Sequence, residues 1–245
     1  MTEQWDEHVG WCRHCTFGMR TEWLDLWLDW PDTWSAVGDL GPRQVQSFRR
    51  WLVTGGLVHK SGDVGDLASL FKETRSAYRL GWQIVWTNVV FRFATARWYV
   101  SEMGKGSWDT RALRTALGRA VPRLASRTAG NAILELVGTL ERTPIGEDLG
   151  QGIVHPGRPR RVVRVGLASP APQALAHAFR LLFLSEQRDV LRFDEGILWP
   201  WTVFGCDRAE ALALLRAQGL NWLKFSDESA ECSIPLEVLQ DVALF

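Results

Sequence analysis

"TEWLDLWLDWPDTW", residues 21–34, sets Trp23, Trp27, Trp30 and Trp34 at steps of four, three and four, with Leu24 and Leu28 beside them and Glu22, Asp25, Asp29 and Asp32 between. That is the period of an amphipathic helix, and the tryptophan stripe is read as core. Pro31 divides the pattern, because proline is tolerated in a first turn and disruptive in a helix interior, so one helix is expected to close near Asp29 and the next to open after it. A Gly-Pro turn then introduces "GPRQVQSFRRWL", residues 41–52, in which Val45, Phe48, Leu52 and, on the flank, Trp51 face inward. Gln44, Gln46, Ser47, Arg49 and Arg50 are left largely outward. The chain breaks at Gly55-Gly56, passes through Leu57-Val58 and turns again at Ser61-Gly62-Asp63. A helix, a turn, a second helix bearing Gln, Ser and Arg, and a short β-prone tail make a helix-turn-helix with a wing. A small helical bundle with a solvated face fits the same pattern.

The 245 residues are 46% hydrophobic and 23% charged, enough for one large domain or two small ones with a real core. No stretch approaches the ~20 apolar residues of a membrane span, and Glu3, Asp6 and Glu7 are unlike a basic, hydrophobic signal peptide. Four scattered cysteines, at 12, 15, 206 and 232, suit a reducing compartment, so a cytoplasmic location and no membrane partner are expected. The net charge is zero, but its sign is segregated along the chain. Residues 1–41 carry 2 basic and 8 acidic side chains, a balance of −6, and residues 42–91 carry 7 and 3, a balance of +4. Residues 92–164 carry 13 and 6, a balance of +7, while 186–245 carry 5 and 11, a balance of −6. The basic middle could face phosphates or dock on the chain's own acidic ends.

Beyond the first 66 residues, an apolar helical pattern runs from Leu67 to about Tyr99 through Trp82, Ile84, Val85, Trp86, Val89, Val90 and Phe93 and reads as a buried central pillar. "SEMGKGSWDT" interrupts it, with Ser107 or Asp109 as cap for the following helix, and another helix runs through Ala129 to Leu140. The Gly/Pro-rich residues 143–161 read as an interdomain connection or an ordered functional loop. "RVVRVG" follows as a strand, then an amphipathic helix through roughly residue 187. Asp207 is placed to cap a helix that Gly219 terminates, before the β-prone runs "NWLKF" and "CSIPL" on either side of the acidic "SDESAE". That order resembles a winged helix with an acidic wing. The expected fold is α+β and mainly helical: a helix-turn-helix domain over residues 1–66, a helical domain over 67–160 and a winged-helix-like domain over 161–245.

Catalytic signatures are weak. Cys12 and Cys15 have the spacing that can grip zinc or an iron–sulfur cluster or form a redox pair, with His14 between them. No second ligand pair lies near, and the region lacks a βαβ setting, so inert cysteines are expected, with a metal or cluster and then a redox site as alternatives. "MGKGSW" fails as a phosphate loop, because Gly106 follows Lys105 where Ser or Thr is needed. The five histidines are too dispersed to nominate a catalytic base. No catalytic residue and no cofactor are expected.

"RHCTFGMRTEWL", residues 13–24, resembles the N-terminal signature of the domain-of-unknown-function-4007 family of bacterial proteins, with His14, Phe17, Arg20, Trp23 and Leu24 at its positions. Similarity continues in residues 40–58, "IVWTNVV", "TPIGEDLGQG" and "RVGLASP". Cys12 and Cys15 are not part of that signature. The resemblance implies a context of sulfur-transfer enzymes and DNA phosphorothioation or other antiphage systems, and a structural role for His14 and Arg20 around the first helix. The expected function is therefore a DNA-binding accessory or targeting subunit of such a system. Gln44, Gln46, Ser47, Arg49 and Arg50 would lie on the reading helix, Lys60 on the wing, and Arg158, Arg160 and Arg161 on phosphates. A protein-interaction scaffold for a sulfur-transfer or nuclease partner, and a metal- or thiol-dependent enzyme built on Cys12, His14 and Cys15, are the alternatives.

Overall fold

The computed structural model describes residues 5, 7–220, 222–226 and 230–235. Its first helices are α1 (Thr21–Asp29), the short α2 (Trp34–Val37) and α3 (Pro42–Gly55). On α1 the stripe Trp23, Leu24, Trp27 and Leu28 is buried, as its period requires. Trp30 departs from it: the helix ends at Asp29, Trp30 adopts a non-helical backbone (φ −135°, ψ 62°), and its side chain is 55% exposed. Trp23 and Trp34 set their edges against Phe48 of α3, with ring centroids 5.8 and 5.1 Å apart. α3 begins on the Gly41-Pro42 turn, where Gln44 Oε1 accepts the Gly41 N–H at 2.9 Å. It ends at Gly56, whose φ of 80° is the left-handed cap that glycine adopts without strain. Where a wing is expected, the structure has one isolated bridge, Val58 with Val64.

A 3-10 turn (Asp66–Lys72) leads into α4 (Arg75–Arg92), capped by Thr74, whose Oγ1 accepts the Ala77 N–H. α4 is buried on every side from Gly81 to Val90 and is the expected pillar. The pillar is not continuous to Tyr99. Phe93 is extended (φ −121°, ψ 107°), and the helix resumes as α5 (Ala94–Trp98) and a π turn (Tyr99–Met103). The break sets the Phe93 ring edge-on to Trp51, 5.6 Å away, and to His14, 5.0 Å away. A helix buried all round has no solvated face whose phase would show such a break.

β1 (Gly106–Asp109) precedes α6 (Thr110–Ala120), whose cap is Asp109, accepting the Ala112 N–H at 2.6 Å. α7 (Ser126–Arg142) follows, then β2 (Ile153–His155) and β3 (Arg161–Arg164). These strands form an antiparallel sheet in the order β1-β3-β2, so the Gly/Pro-rich segment is an ordered turn and hairpin. α8 (Pro172–Glu186) packs along α4. β4 (Val190–Arg192), α9 (Pro200–Phe204), α10 (Arg208–Ala217), β5 (Lys224–Ser226) and β6 (Glu231–Ser233) complete the chain, with sheet order β4-β6-β5. Asp207 caps α10 through the Glu210 N–H, and Gly219 follows its end with φ 65°. β5 and β6 realise the expected strand pair, while Asn221, Leu236 and residues 227–229 of the acidic segment lie outside the described residues. Among the described residues, the buried apolar side chains from Trp5 to Ile234 form one continuous core that runs across the expected divisions at residues 66 and 160.

Arg164 ties the second half together. Its guanidinium, 2% exposed, donates to Gln151 Oε1 (3.1 Å) and to the carbonyls of Val100, Gly104, Thr202 and Val203. Burial pulls its pKa down to about 10, which leaves it charged at neutral pH, and five oxygens compensate that charge. Burial also lowers Arg92 and Arg97. Part of the basic middle is therefore turned inward. Trp23→Ala should lose about 3–5 kcal/mol, the usual cost of truncating a buried aromatic, whereas Trp30→Ala should stay within about 0.5 kcal/mol. Chemical denaturation of the two variants checks the difference.

Candidate nucleic-acid interface

Residues 12–21 are strapped along one face of α7. Glu135 Oε1 accepts the backbone N–H groups of His14 and Thr16, both at 2.9 Å, and the Cys12 thiol at 3.0 Å. Its Oε2 accepts the Arg13 N–H and the His14 ring Nδ1–H, both at 3.1 Å. Cys15 and Thr16 hold left-handed backbones (φ 55° and 73°), a strained geometry that turns successive N–H groups toward one anion. One turn along α7, Gly18 lies so close to Gly138 that a Cβ on Gly18 would sit 2.2 Å from the Gly138 carbonyl carbon. Thr139 Oγ1 then accepts the Met19 N–H, and the Arg142 carbonyl accepts the Thr21 hydroxyl. Glu135, Gly138, Thr139 and Arg142 recur at helical steps, so one face of α7 reads the whole strap.

The signature residues are distributed over this strap. The His14 ring stacks on Trp51, 3.6 Å between centroids, and its Nε2 meets Thr54 Oγ1 at 3.0 Å. The Phe17 carbonyl accepts Trp51 Nε1–H at 2.8 Å and the Ser47 hydroxyl at 3.4 Å. Arg20 precedes α1 with its guanidinium 4.6 Å from the centre of the Trp23 ring, and Leu24 is buried in the core. Burial holds His14 below the ordinary imidazole value, so it is neutral, donating from Nδ1 and accepting from the Thr54 hydroxyl at Nε2. Burial alone would raise the Glu135 carboxyl, but hydrogen bonds from the His14 ring, the Cys12 thiol and the backbone carry it below the ordinary carboxylate range. Burial, and then Glu135, push the Cys12 thiol up to about 12. It is protonated at neutral pH and a poor nucleophile.

The other side of the strap faces a groove. A cavity of about 1010 Å³ lies over α3, lined by Arg13, Arg43, Arg49 and Arg50 with Leu40, Pro42, Val45, Gln46 and Val53, and with His14 and Thr54. A second cavity of about 480 Å³ shares Arg13, Val53 and Thr54 with it and adds His59, Lys60 and Arg92. Among the described residues, neither cavity has an acidic side chain in its lining. Arg13, Arg43, Arg49, Arg50 and Lys60 are exposed on these two adjoining cavities, as is Arg92, which donates to the Val53 carbonyl. That donor set fits an anion.

The structure gathers Gln46, Arg49, Arg50 and Lys60 here. Gln46 accepts the Cys15 thiol, and Arg50 also donates to the Arg13 carbonyl. Gln44 is half-buried as a helix cap, and Ser47, expected outward, is buried because its hydroxyl serves Phe17. Arg158, Arg160 and Arg161 do not line this groove: Arg158 and Arg161 are exposed elsewhere, and Arg160 pairs with Glu141 at 2.6 Å. Pro159 beside them borders another basic cavity, of about 720 Å³, with Arg111, Arg114 and Arg127. Sequence reasoning missed Arg13 and Arg43. Arg43 sits on the same outward face of α3 as Gln46 and Arg50, a signal that was available; Arg13 reaches the groove only through the strap.

Protonation works against the strap. The folded pKa of His14 lies below its unfolded 6.5, so the unfolded state takes up protons first and stability falls as pH drops below that value; Glu135, also depressed, adds a loss below about 4.5. Burial lowers His177 to about 3, with the same sign. Stability should thus decline on acidification from pH 7 to 5, and His14→Gln should flatten that decline while lowering stability at pH 7. Glu135→Gln should cost about 3–5 kcal/mol, since one carboxamide oxygen cannot replace two acceptors for buried donors. Thermal melts across pH check both.

No family model matches the chain, and no curated protein does. Among solved structures, the chain is similar in fold to a magnesium-bound crystal structure of SspB, with a TM-score of 0.62 and 13% identity, covering 94% of this chain and 85% of that one. A second SspB crystal structure gives a TM-score of 0.60 at the same identity and coverage. Among the described residues no three His, Cys, Asp or Glu side chains come together.

Proposed function

We propose that the chain is a DNA-binding accessory or targeting subunit of a bacterial DNA-modification or antiphage system, with α3 and the strap facing the phosphate backbone. The observation that carries this reading is the groove over α3, with its exposed arginines and no acidic lining residue. Phosphate neutralisation by Arg and Lys dominates nucleic-acid affinity, and a concave surface of one sign concentrates it. Gln46 lies among the arginines where a side-chain amide meets base edges, and α1, α2 and α3 with the Val58–Val64 bridge serve as the helix-turn-helix and its wing. The system is suggested by the family resemblance at His14, Phe17, Arg20, Trp23 and Leu24, and the fold is like that of SspB.

The enzyme built on Cys12, His14 and Cys15 is less well supported. The Cys12 thiol is spent on Glu135 and held protonated, and His14 is engaged at both ring nitrogens. A scaffold for a protein partner would use the same exposed surface.

Arg50 also holds the Arg13 carbonyl, so Arg43 and Arg49 are the cleaner residues to remove. In filter binding with a salt titration, Arg43→Ala with Arg49→Ala should weaken duplex binding across sequences and reduce the slope of log K against log salt by about 1.8, at about 0.9 per lost phosphate contact. Binding that is absent in the wild type at low salt, or indifferent to salt, would transfer the surface to a protein partner.

A further inference from the structure

The strap is bonded to the C-terminal half of α7, from Glu135 to Arg142, while the helix itself begins at Ser126. Asn131 and Arg127 stand one and two turns before Glu135, at steps of four, and so continue nearly the same side of the helix. Both line the cavity of about 720 Å³ between α6 and α7, to which α6 contributes Arg111 and Arg114. The three arginines are exposed, and among the described residues no carboxylate lines this cavity or pairs with any of them. Arginines elsewhere on the molecule do find carboxylates: Arg160 has Glu141, Arg188 has Glu195 and Arg192 has Asp194. Arg114 donates to the Ser126 hydroxyl, which ties α6 to the start of α7. The side chains of Arg111 and Arg127 have no hydrogen-bond or ion-pair partner among the described residues. Arg13 stands between this cavity and the groove over α3. Its backbone N–H is held by Glu135, one turn from Asn131, while its side chain lines both cavities over α3. The eight residues from Glu135 back to Arg127 rise about 12 Å along α7, which is the length of three or four base pairs at about 3.4 Å each.

We propose that the duplex site is a track and not a single groove: the phosphate backbone that lies over α3 continues past Arg13 and along α7 into the α6–α7 cavity, where Arg111 and Arg127 each take a further phosphate. This rests on the DNA reading of the α3 groove and extends it to a second set of residues. Unpaired cations of one sign around a concave surface are relieved by an anion, and the Asn131 amide among them is a donor that suits phosphate oxygens. An acidic protein segment would also satisfy the charge. Continuity with the α3 groove through Arg13 favours a polymer whose charges repeat at a fixed spacing, as those of a nucleic-acid backbone do.

Filter binding over a series of duplex lengths, from about 8 to about 24 base pairs or roughly 27 to 82 Å, tests the track. Arg111→Ala with Arg127→Ala removes two exposed cations and leaves the Arg114–Ser126 bond in place, so the melting temperature should be unchanged. On the longest duplexes this pair should weaken binding and reduce the slope of log K against log salt by about 1.8, at about 0.9 per lost phosphate contact. On the shortest, which reach only one cavity, Arg111→Ala with Arg127→Ala should bind as the wild type does while Arg43→Ala with Arg49→Ala binds more weakly. Arg111→Lys with Arg127→Lys keeps the charges and should keep the wild-type slope at every length. A loss that is the same at all lengths overturns the track. So does the absence of any loss in a protein that Arg43→Ala with Arg49→Ala still weakens, and that result leaves the α3 reading standing while giving the α6–α7 cavity to an acidic protein segment. Wild-type binding that is absent or indifferent to salt overturns both.

Discussion

Everything at the N-terminal end depends on one buried carboxylate. Glu135 is removed from water, and an isolated carboxylate there would neutralise itself or unfold the site. It stays ionised because three backbone N–H groups, an imidazole and a thiol converge on it. The two left-handed residues, Cys15 and Thr16, are the conformational cost of that convergence. The return is positional: His14 is fixed against Trp51 and Thr54 of α3, so a charge on α7 sets where α3 sits. The groove of arginines is the outer surface of that arrangement, and its shape follows from contacts made behind it.

The arginines fall into two populations with opposite physics. Arg164 is buried among oxygens, where removing it would strand several carbonyls, and it organises β3, the π turn and α9. Arg13, Arg43, Arg49 and Arg50 are exposed around one cavity, where close like charges are mutually unfavourable and are relieved by an anion or by salt. Net charge along the sequence cannot distinguish the two. Burial does, and it divides the arginines into a buried, structural set and an exposed one.

How much was legible follows from how local each signal is. The α1 stripe, the Gly41-Pro42 entry to α3, and the Asp109 and Asp207 caps were readable because each rests on residues within one or two turns. The break at Phe93 and the three-residue strand β4 were not, since neither leaves a periodicity. Ser47 was misplaced because its burial comes from the Phe17 carbonyl, thirty residues away in the chain. Half of the candidate groove was visible as the outward face of α3. The rest required knowing that Glu135 brings the strap, and Arg13 with it, across 122 residues of sequence.

The pillar α4 carries the same logic into the centre of the molecule. A helix buried all round has no solvated face on which to leave polar side chains, so Gln83, Thr87 and Asn88 must each find partners in the core. Thr87 returns its hydroxyl to the Gln83 carbonyl one turn back. Gln83 Oε1 accepts the Ala171 N–H, one of the donors that the start of α8 leaves unpaired within its own helix, at 2.7 Å. Asn88 donates to the last residue of α3 and faces His177 of α8. An apolar pillar would pack against α3 and α8 at several heights with little difference in energy. Two amides fix the height on both sides, because sliding either neighbour by one turn would leave a buried amide without its partner. The helices α3 and α8 therefore share a common reference, the polar rungs of one buried helix.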